Sequence, residues 1–437
     1  MRRFAYVLFF LVLVEEGRST YADHMFAPFH WVHAWLLEPV AKVRPVDALF
    51  AGLLVFALLQ GRSRGPTVRP MRRTLFGALA VTLFALVYGL VTGGSTRFAG
   101  WQVYLPLATI LATFTFSAVL RTAEDFVGLG KVIVVAGVCH AVMCLLFHYL
   151  YIRPGLVAPL PEYEGTHDDT VLWTIGISFV LLQALQSPTT RNRLVAAFVI
   201  PLLLAAIQFN RRRLAWVSLA GCMITLYFLL PPSAARRRIN RVLAVVGPVL
   251  LLYIAVGWGR TEGVFRPLRA FQTVSTDEDA STKARNVENL GLIATANKGW
   301  FVGTGWGHGY VEVSNKYQIY MFELWDYVPH NSILGLFAYT GYIGFMGYWM
   351  TFPMAAFLHA RLARQGGRPA ERFVGTLGLM QVVACADQWY GDMGSFSAVT
   401  AYTLASSFAA ALRLPIAAGV WAGGSRPQRP ASAPKVA

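Results

Sequence analysis

The chain has little charge for its length. Of its 437 residues, 14% are charged and 56% are hydrophobic, whereas soluble domains carry about 25% charged residues. The apolar residues are spread over the whole chain, and the mean hydropathy is +0.49. This composition excludes an ordinary soluble globular protein and indicates a polytopic membrane protein.

Cysteine is scarce as well. The four cysteines all lie inside apolar runs, and none has the spacing of metal ligands in a loop: Cys139, Cys144, Cys222 and Cys385. Such thiols are typical of small buried hydrophobic residues. The cysteines therefore predict no disulfide and no zinc site, and we expect no cofactor.

Acidic residues are fewer than basic ones, 22 against 38, which gives a net charge of +16. A basic chain can bind nucleic acid, but here the Lys and Arg residues lie in short clusters between apolar runs. Membrane proteins mark their cytoplasmic side in this way. We therefore predict no nucleic-acid partner.

The apolar runs predict the fold. Crossing a bilayer takes about 20 mainly apolar residues as a helix, and lipid cannot satisfy open backbone groups. We expect an all-α polytopic membrane protein with about twelve transmembrane helices, the first of them short: 4–14, 46–61, 75–96, 101–120, 132–152, 170–187, 194–209, 214–231, 242–259, 331–358, 373–388 and 393–412. Residues 25–37, which contain Pro28, His30 and His33, predict an interfacial or re-entrant segment.

Charge in the connections predicts their sides. Arginine clusters follow the second, sixth, eighth and tenth runs, so these connections and both termini are predicted to be cytoplasmic. The chain then divides into an N-terminal transmembrane bundle of about nine spans (1–259), a large periplasmic loop (260–329), C-terminal transmembrane helices (330–413) and a disordered cytoplasmic tail (414–437).

One cationic cluster contradicts this pattern. Arg211, Arg212 and Arg213 follow the seventh run, on the side assigned to the periplasm. Guanidinium groups bind phosphate oxygens two at a time, so an anionic ligand such as a pyrophosphate explains the position. Contact with lipid headgroups, or a wrong topology, is the alternative interpretation.

A histidine stands where the long loop meets the tenth run. His330 and Asn331 follow Pro329, which suits the first turn of a helix. A partly desolvated imidazole at the outer edge of the bilayer can take up a proton as a general base. The alternative, more common for a lone histidine, is an interfacial residue that only forms hydrogen bonds.

The long loop contains two further candidates. Ser281 is a suitable N-cap for a helix over 282–297 that would carry Arg285. The glycines that follow, Gly303, Gly305 and Gly307, permit tight turns or close backbone approach. A phosphate cradle is one interpretation, but no GKS/T sequence follows, so a plain turn is favoured.

Other polar residues are predicted to be structural. Asp387 and Asp392 lie at the outer end of the last two runs, where binding a cation or orienting a sugar is the less favoured interpretation. His140 and His148 lie inside the fifth run and are typical of hydrogen-bonded packing residues.

In this order, the segments resemble the O-antigen ligase and polysaccharide polymerase superfamily of bacterial membrane glycosyltransferases. Arg212-Arg213-Leu214-Ala215-Trp216 is similar to the family's arginine at the outer start of a span, and Ser281-Thr282-Lys283-Ala284-Arg285 to its second arginine. Gly303-Thr304-Gly305-Trp306-Gly307 resembles the glycine stretch. Pro329-His330-Asn331, followed by Gly341 and Gly344, resembles the strongest motif. The family has a serine where this chain has Arg212, which leaves open whether Arg212 or Arg213 is functional.

The resemblance implies a function at the periplasmic face of the bacterial inner membrane. The donor is a glycan on undecaprenyl pyrophosphate, and the acceptor is another glycan (for a polymerase) or a lipid A-core (for a ligase). Arg212 or Arg213, with Arg285 and the neighbouring Arg211, would bind the pyrophosphate, and His330 would take the proton of the acceptor hydroxyl. Asn331 and the three glycines would support this site. The resemblance also implies inversion and no metal.

Two other classes stay open. A flippase or transporter can also have twelve spans, but such proteins usually show repeated halves and ionisable groups in mid-membrane. Most runs here have neither. A non-enzymatic assembly partner is the third hypothesis, and under it replacement of His330 should leave activity unchanged.

Overall fold

A computed structural model describes residues 1–14, 28–37, 44–61, 65–161, 163–230, 234–260, 263–265, 268, 280–314 and 324–421. Within these ranges all regular structure is helical and there is no β-strand. The predicted all-α class is confirmed.

Each predicted apolar run lies on a helix. Proline at the first turn starts several of them, since its ring suits that position. Numbered in chain order, the helices are α1 Arg2–Leu13, α2 Pro45–Leu59, α3 Arg69–Val91, α4 Thr96–Val119, α5 Ala123–Phe147, α6 His167–Gln186, α7 Thr190–Asn210, α8 Arg213–Leu229, α9 Ala234–Gly257, α10 Ala280–Lys298, α11 Ser332–Trp349, α12 Thr351–Gln365, α13 Pro369–Gly391 and α14 Ala398–Ala417.

Six helices among the described residues are long and apolar enough to cross a membrane. They are Arg69–Val91, Thr96–Val119, Ala123–Ile152, His167–Gln186, Thr190–Asn210 and Ile239–Gly257. The third consists of α5 and a π-helical extension, His148–Ile152. Helices α2 and α8 are apolar but shorter. These helices identify a membrane protein, and the count of twelve spans stays a prediction.

The C-terminal helices form the centre of the bundle. Nearly every residue of α14 is buried, and it packs against α4, α12 and α13. In contrast, the apolar side chains of α9 are exposed along its length, including Val245, Val249 and Leu251. A helix with apolar side chains on all sides is stable in hydrocarbon, so α9 fits a lipid-facing position.

The tenth predicted run, 331–358, is divided into α11 and α12. Gly341, inside α11, has φ +62° and ψ −169°, which is not helical. A Cβ added there would lie 2.4 Å from the backbone of Phe301 and Val302. The amides freed by this break are paired, because Tyr342 N donates to Trp300 O (2.8 Å) and Ile343 N to Phe301 O (3.2 Å). The missing Cβ therefore lets the loop after α10 pack into the bundle.

Several boundaries differ from the predictions. Helix α10 begins at Ala280, so Ser281 lies inside the helix and the predicted cap at this residue is wrong. Of the segment 25–37, the described part forms a short turn, His30–Val32, and a π-helix, His33–Leu37. Helix α14 continues past 414 to Ala417, and 422–437 lie outside the described residues.

Candidate functional site

The three adjacent arginines form the turn between α7 and α8. Helix α7 ends at Asn210 and α8 begins at Arg213. Arg211 has a left-handed backbone (φ +59°) and an exposed side chain, whereas Arg212 is extended (φ −76°, ψ 122°) and 8% exposed. This turn directs Arg212 and Arg213 into one cavity, while Arg211 is not among the lining residues.

The guanidinium group of Arg212 contacts several surrounding residues. Its guanidinium carbon lies 4.1 Å from the ring centre of Tyr163, a cation–π contact. Nη1 lies 2.8 Å from Nδ1 of His167 and 3.8 Å from Oδ1 of Asp392. Nη2 donates to the Gly165 carbonyl at 3.5 Å. The charge is therefore fixed in place before any ligand arrives.

The loop that holds Arg212 is itself anchored. Thr166 and Asp169 form a capping box at the start of α6. Gly165 N donates to Oδ1 of Asn210, the last residue of α7, at 2.8 Å. The backbone on both sides of Arg212 is thus tied together, which limits the conformations that its side chain can adopt.

The two histidines predicted to be packing residues lie behind this loop. Nδ1 of His148 lies 2.9 Å from Oε1 of Glu164, and Nδ1 of His140 lies 2.6 Å from Oδ1 of Asp169. Both pairs tie α5 to the segment that enters α6. The structure therefore places these histidines in side-chain pairs that join two segments, outside the lining of the cavity.

Asp392 connects the two cationic segments. It is 2% exposed and ends α13. Oδ1 lies 3.6 Å from Nη2 of Arg285 as well as near Arg212, and His167 pairs with the same oxygen. Burial alone would raise the pKa of the Asp392 carboxyl, but His167, then Arg212 and Arg285, lower the pKa well below its ordinary value. The charged carboxylate thus holds two guanidinium groups that are distant in sequence.

His330 is oriented by a carboxylate from α10. Its Nδ1 lies 2.8 Å from Oε2 of Glu288, and its backbone N donates to Oε1 at 2.6 Å. The His330 carbonyl accepts from Met393 N at 2.9 Å. Asn331 caps α11, with Oδ1 accepting from Leu334 N at 3.1 Å. With Nδ1 engaged by Glu288, Nε2 is the nitrogen available to a ligand.

These groups meet at one open cavity of about 210 Å³, which we term the arginine cavity. Its walls carry the charged and polar side chains of Arg212, Arg213, Arg285, Glu288, His330 and Asp387, and apolar residues of α8, Leu214 and Val217. Four buried polar atoms of the lining residues have no hydrogen-bond partner within the described part of the chain: Nε of Arg212, Nε of Arg285, Oδ1 of Asn289 and Oδ1 of Asp392, the last of which forms ion pairs. Because buried polar atoms are normally paired, these atoms indicate a place for a ligand or for water.

The glycine stretch lies elsewhere. Gly303, Gly305 and Gly307 have φ of +78°, +85° and +98°, and none lines the arginine cavity. The amides from 303 to 307 all donate to acceptors of the protein, for example Gly305 N to Tyr339 O at 2.7 Å and Gly307 N to Gln102 Oε1 at 2.6 Å. They are not available to a phosphate, so the phosphate-cradle interpretation does not fit and the favoured plain turn does.

The structure thus brings together Arg212, Arg213, Arg285, His330 and Asn331 of the predicted site, and separates Arg211 and the glycines from it. Sequence reasoning missed Glu288, His167, Tyr163 and Asn289 as site residues. For Glu288 a signal was present, since it lies three residues after Arg285 on a predicted helix and therefore shares its face.

No group of three or more His, Cys, Asp or Glu residues in the described ranges is arranged to hold a metal ion. Compared with known proteins, the chain matches no family model and no curated protein.

Proposed function

We propose that this chain is an integral membrane glycosyltransferase that uses a glycan on undecaprenyl pyrophosphate as its donor. It would act at the periplasmic face of the bacterial inner membrane, as a polysaccharide polymerase or an O-antigen ligase. One observation carries this proposal: Arg212, Arg213 and Arg285 line the same cavity as His330, whose imidazole is oriented by Glu288.

The arginines would bind the pyrophosphate. The unpaired Nε–H groups of Arg212 and Arg285 need acceptor oxygens, and a diphosphate offers several. Hydrogen bonds to charged groups contribute about 1.5–3 kcal/mol each, and guanidinium groups that are already fixed need no reorganisation as charge develops. Asp392 keeps Arg212 and Arg285 in position. The apolar residues Leu214 and Val217 beside them suit the start of a polyprenyl chain.

His330 would act as the general base. The acceptor hydroxyl oxygen bonds to the anomeric carbon of the donor, and the bond from that carbon to the pyrophosphate oxygen breaks. The pyrophosphate leaves with the electron pair, and the hydroxyl proton moves to Nε2 of His330. Glu288, against Nδ1, stabilises the imidazolium. Attack opposite to the leaving group inverts the anomeric configuration.

The twelve-span arrangement completes the proposal. With the arginine clusters of the even-numbered connections in the cytoplasm, the turn at Arg212, helix α10 and His330 all fall on the periplasmic side. The cavity then opens where a lipid-linked glycan is presented, and the donor needs no nucleotide because the pyrophosphate linkage carries its own free energy.

A reconstitution experiment tests this function. The purified protein is placed in liposomes with lipid-linked glycan extracted from membranes of cells that lack it, and products are separated by size. We expect glycan transfer with release of undecaprenyl pyrophosphate, as longer chains for a polymerase or as a glycosylated acceptor for a ligase. Arg285→Ala should abolish transfer, whereas Arg211→Ala, at an exposed arginine outside the cavity lining, should retain it. Movement of the glycan across the bilayer without transfer would instead identify a flippase.

A further inference from the structure

Helix α10 presents a polar stripe to the arginine cavity. Thr282, Arg285 and Asn289 recur every three or four residues and all line it. With a rise of about 1.5 Å per residue, Asn289 lies about 6 Å along the helix axis from Arg285. Glu288, its neighbour in sequence, bonds to His330. Asn289 therefore lies on the same wall of the cavity as the arginine that would hold the pyrophosphate, and next in sequence to the carboxylate that orients the imidazole.

The side-chain oxygen of Asn289, Oδ1, is buried and lacks a hydrogen-bond donor among the described residues. A carboxamide oxygen is only an acceptor, so an ionised phosphate group, which offers acceptors alone, cannot pair with it. The unpaired Nε–H groups of Arg212 and Arg285 on the same cavity require the opposite, an acceptor.

A ligand that pairs all three atoms must carry both kinds of group. Phosphate oxygens satisfy the two arginines, and a hydroxyl O–H or an acetamido N–H on an adjoining sugar satisfies Asn289. In the proposed reaction the attacked anomeric carbon would lie between the pyrophosphate and the base, so the ring that contains it would reach the wall of the cavity that carries Asn289.

We propose that Asn289 binds the first sugar of the lipid-linked donor, the one bonded to the pyrophosphate, through a hydroxyl or acetamido group of that sugar. This inference rests on the proposed function and adds a residue that distinguishes a glycosylated lipid from the bare pyrophosphate. Asn289 thereby determines which donors are accepted, while Arg285 binds the pyrophosphate that all of them share.

Binding of two lipids to the full-length protein in nanodiscs tests the inference. The probes are undecaprenyl pyrophosphate and the lipid-linked glycan pool extracted from membranes of cells that lack the protein. Asn289→Ala should weaken binding of the glycosylated pool about 3- to 10-fold, as expected for one lost hydrogen bond, and leave undecaprenyl pyrophosphate unchanged. Arg285→Ala should weaken both. Leu290→Ala, at the exposed neighbouring position, is the matched control and should change neither.

The outcomes distinguish a wrong role for Asn289 from a wrong function for the protein. Equal effects of Asn289→Ala on both lipids, or no effect on either, would overturn the role of Asn289 while leaving the transferase proposal intact. Failure of the unmodified protein to bind either lipid would contradict the proposed function itself. If Asn289→Ala is poorly folded, Asn289→Gln, which shifts the carboxamide by one methylene, is judged by the same ratio of affinities.

Discussion

Glu288 holds His330 through both of its oxygens: Oε2 lies 2.8 Å from Nδ1 of the imidazole, and Oε1 accepts the backbone N–H at 2.6 Å. The two residues are 42 positions apart, yet together they fix the ring, the direction of Nε2 and the backbone that leads into α11. A carboxylate in this position also stabilises the ring once it is protonated.

Replacing this carboxylate should therefore slow transfer without preventing binding of the donor. We expect Glu288→Gln to reduce turnover about 10- to 100-fold, because the amide keeps a hydrogen bond to Nδ1 but not the negative charge, and general-base catalysis contributes about 10²–10⁴-fold in total. The measurement is the rate of transfer by the purified variant. The control is Glu312→Gln, at an exposed glutamate of the same loop, and its rate should not change. An unchanged rate for Glu288→Gln would contradict the role given to the Glu288–His330 pair.

Two of the cavity arginines, Arg212 and Arg213, should differ in their tolerance of lysine. Arg212 is enclosed by Tyr163, His167 and Asp392, and lysine cannot reproduce the planar contacts of a guanidinium group. We expect Arg212→Lys to reduce transfer at least tenfold and Arg213→Lys, less buried at the start of α8, to reduce it by less than fivefold. Parallel rate measurements on the two variants decide this, and the reverse order would assign the functional position to Arg213.

The contribution of Asp392 to the stability of the fold should be lost at acid pH. The pKa of Asp392 is lowered in the folded protein, so this residue stabilises the fold above the ordinary carboxyl value of about 3.9, and this contribution is lost as the pH falls below that value. Asp392→Asn should therefore unfold at a lower temperature than the unmodified protein at pH 7, with the difference shrinking below about pH 4. Thermal unfolding in detergent measures it. A difference that stays constant from pH 7 to pH 3 would contradict the prediction.

The glycine turn should be essential for packing. A Cβ on Gly305 would lie 2.3 Å from Cα of Gly89, whereas a Cβ on Gly93, which also has a positive φ, would meet nothing within 4 Å. Gly93→Ala should reduce the free energy of unfolding by only about 1–3 kcal/mol, the cost of the strain in a left-handed alanine. Gly305→Ala should lower the unfolding temperature further or abolish folded protein. Equal unfolding temperatures for the two variants would contradict this packing.

Cysteine labelling tests on which side of the membrane each connection between helices lies. The native cysteines lie in helices and three of them are buried, so the unmodified chain gives the background. In intact cells, a membrane-impermeant maleimide should label Leu160→Cys, in the connection after α5, and should label Ser187→Cys, after α6, only once the inner membrane is opened. Labelling in the opposite order would invert the proposed topology.

The sequence was informative where a residue type conflicted with its surroundings. Arginines on the side predicted to avoid cations, and a histidine at the predicted edge of the bilayer, made Arg212, Arg213 and His330 candidates, and the structure places all three at one cavity. Glu288 and Asp392 gave no such conflict, because an acidic residue in an outer loop or at a helix end is ordinary until its partners are located. His167 and Tyr163 depend on how the loop before α6 folds over the turn at Arg212, which a single sequence does not specify.

For the helices too, the sequence predicts some features, whereas others depend on contacts between distant segments. The apolar runs predicted where the helices of the bundle lie, since burial in hydrocarbon requires continuous apolar sequence. Several helices begin earlier than predicted, for example α3 at Arg69 and α5 at Ala123. The break at Gly341 was not predicted, because its cause is the loop at Phe301 and Val302 that packs into it, a contact between segments distant in sequence. The role of the glycine stretch likewise depends on which acceptors its amides meet.

The most direct test of the account is glycan transfer by His330→Ala, measured in liposomes with the extracted lipid-linked donor and with His308→Ala as a matched histidine control. We predict that His330→Ala binds undecaprenyl pyrophosphate as the unmodified protein does but transfers glycan at least 100-fold more slowly, the loss expected when a general base is removed. Transfer at the unmodified rate by His330→Ala would contradict the central claim that this imidazole takes the proton of the acceptor.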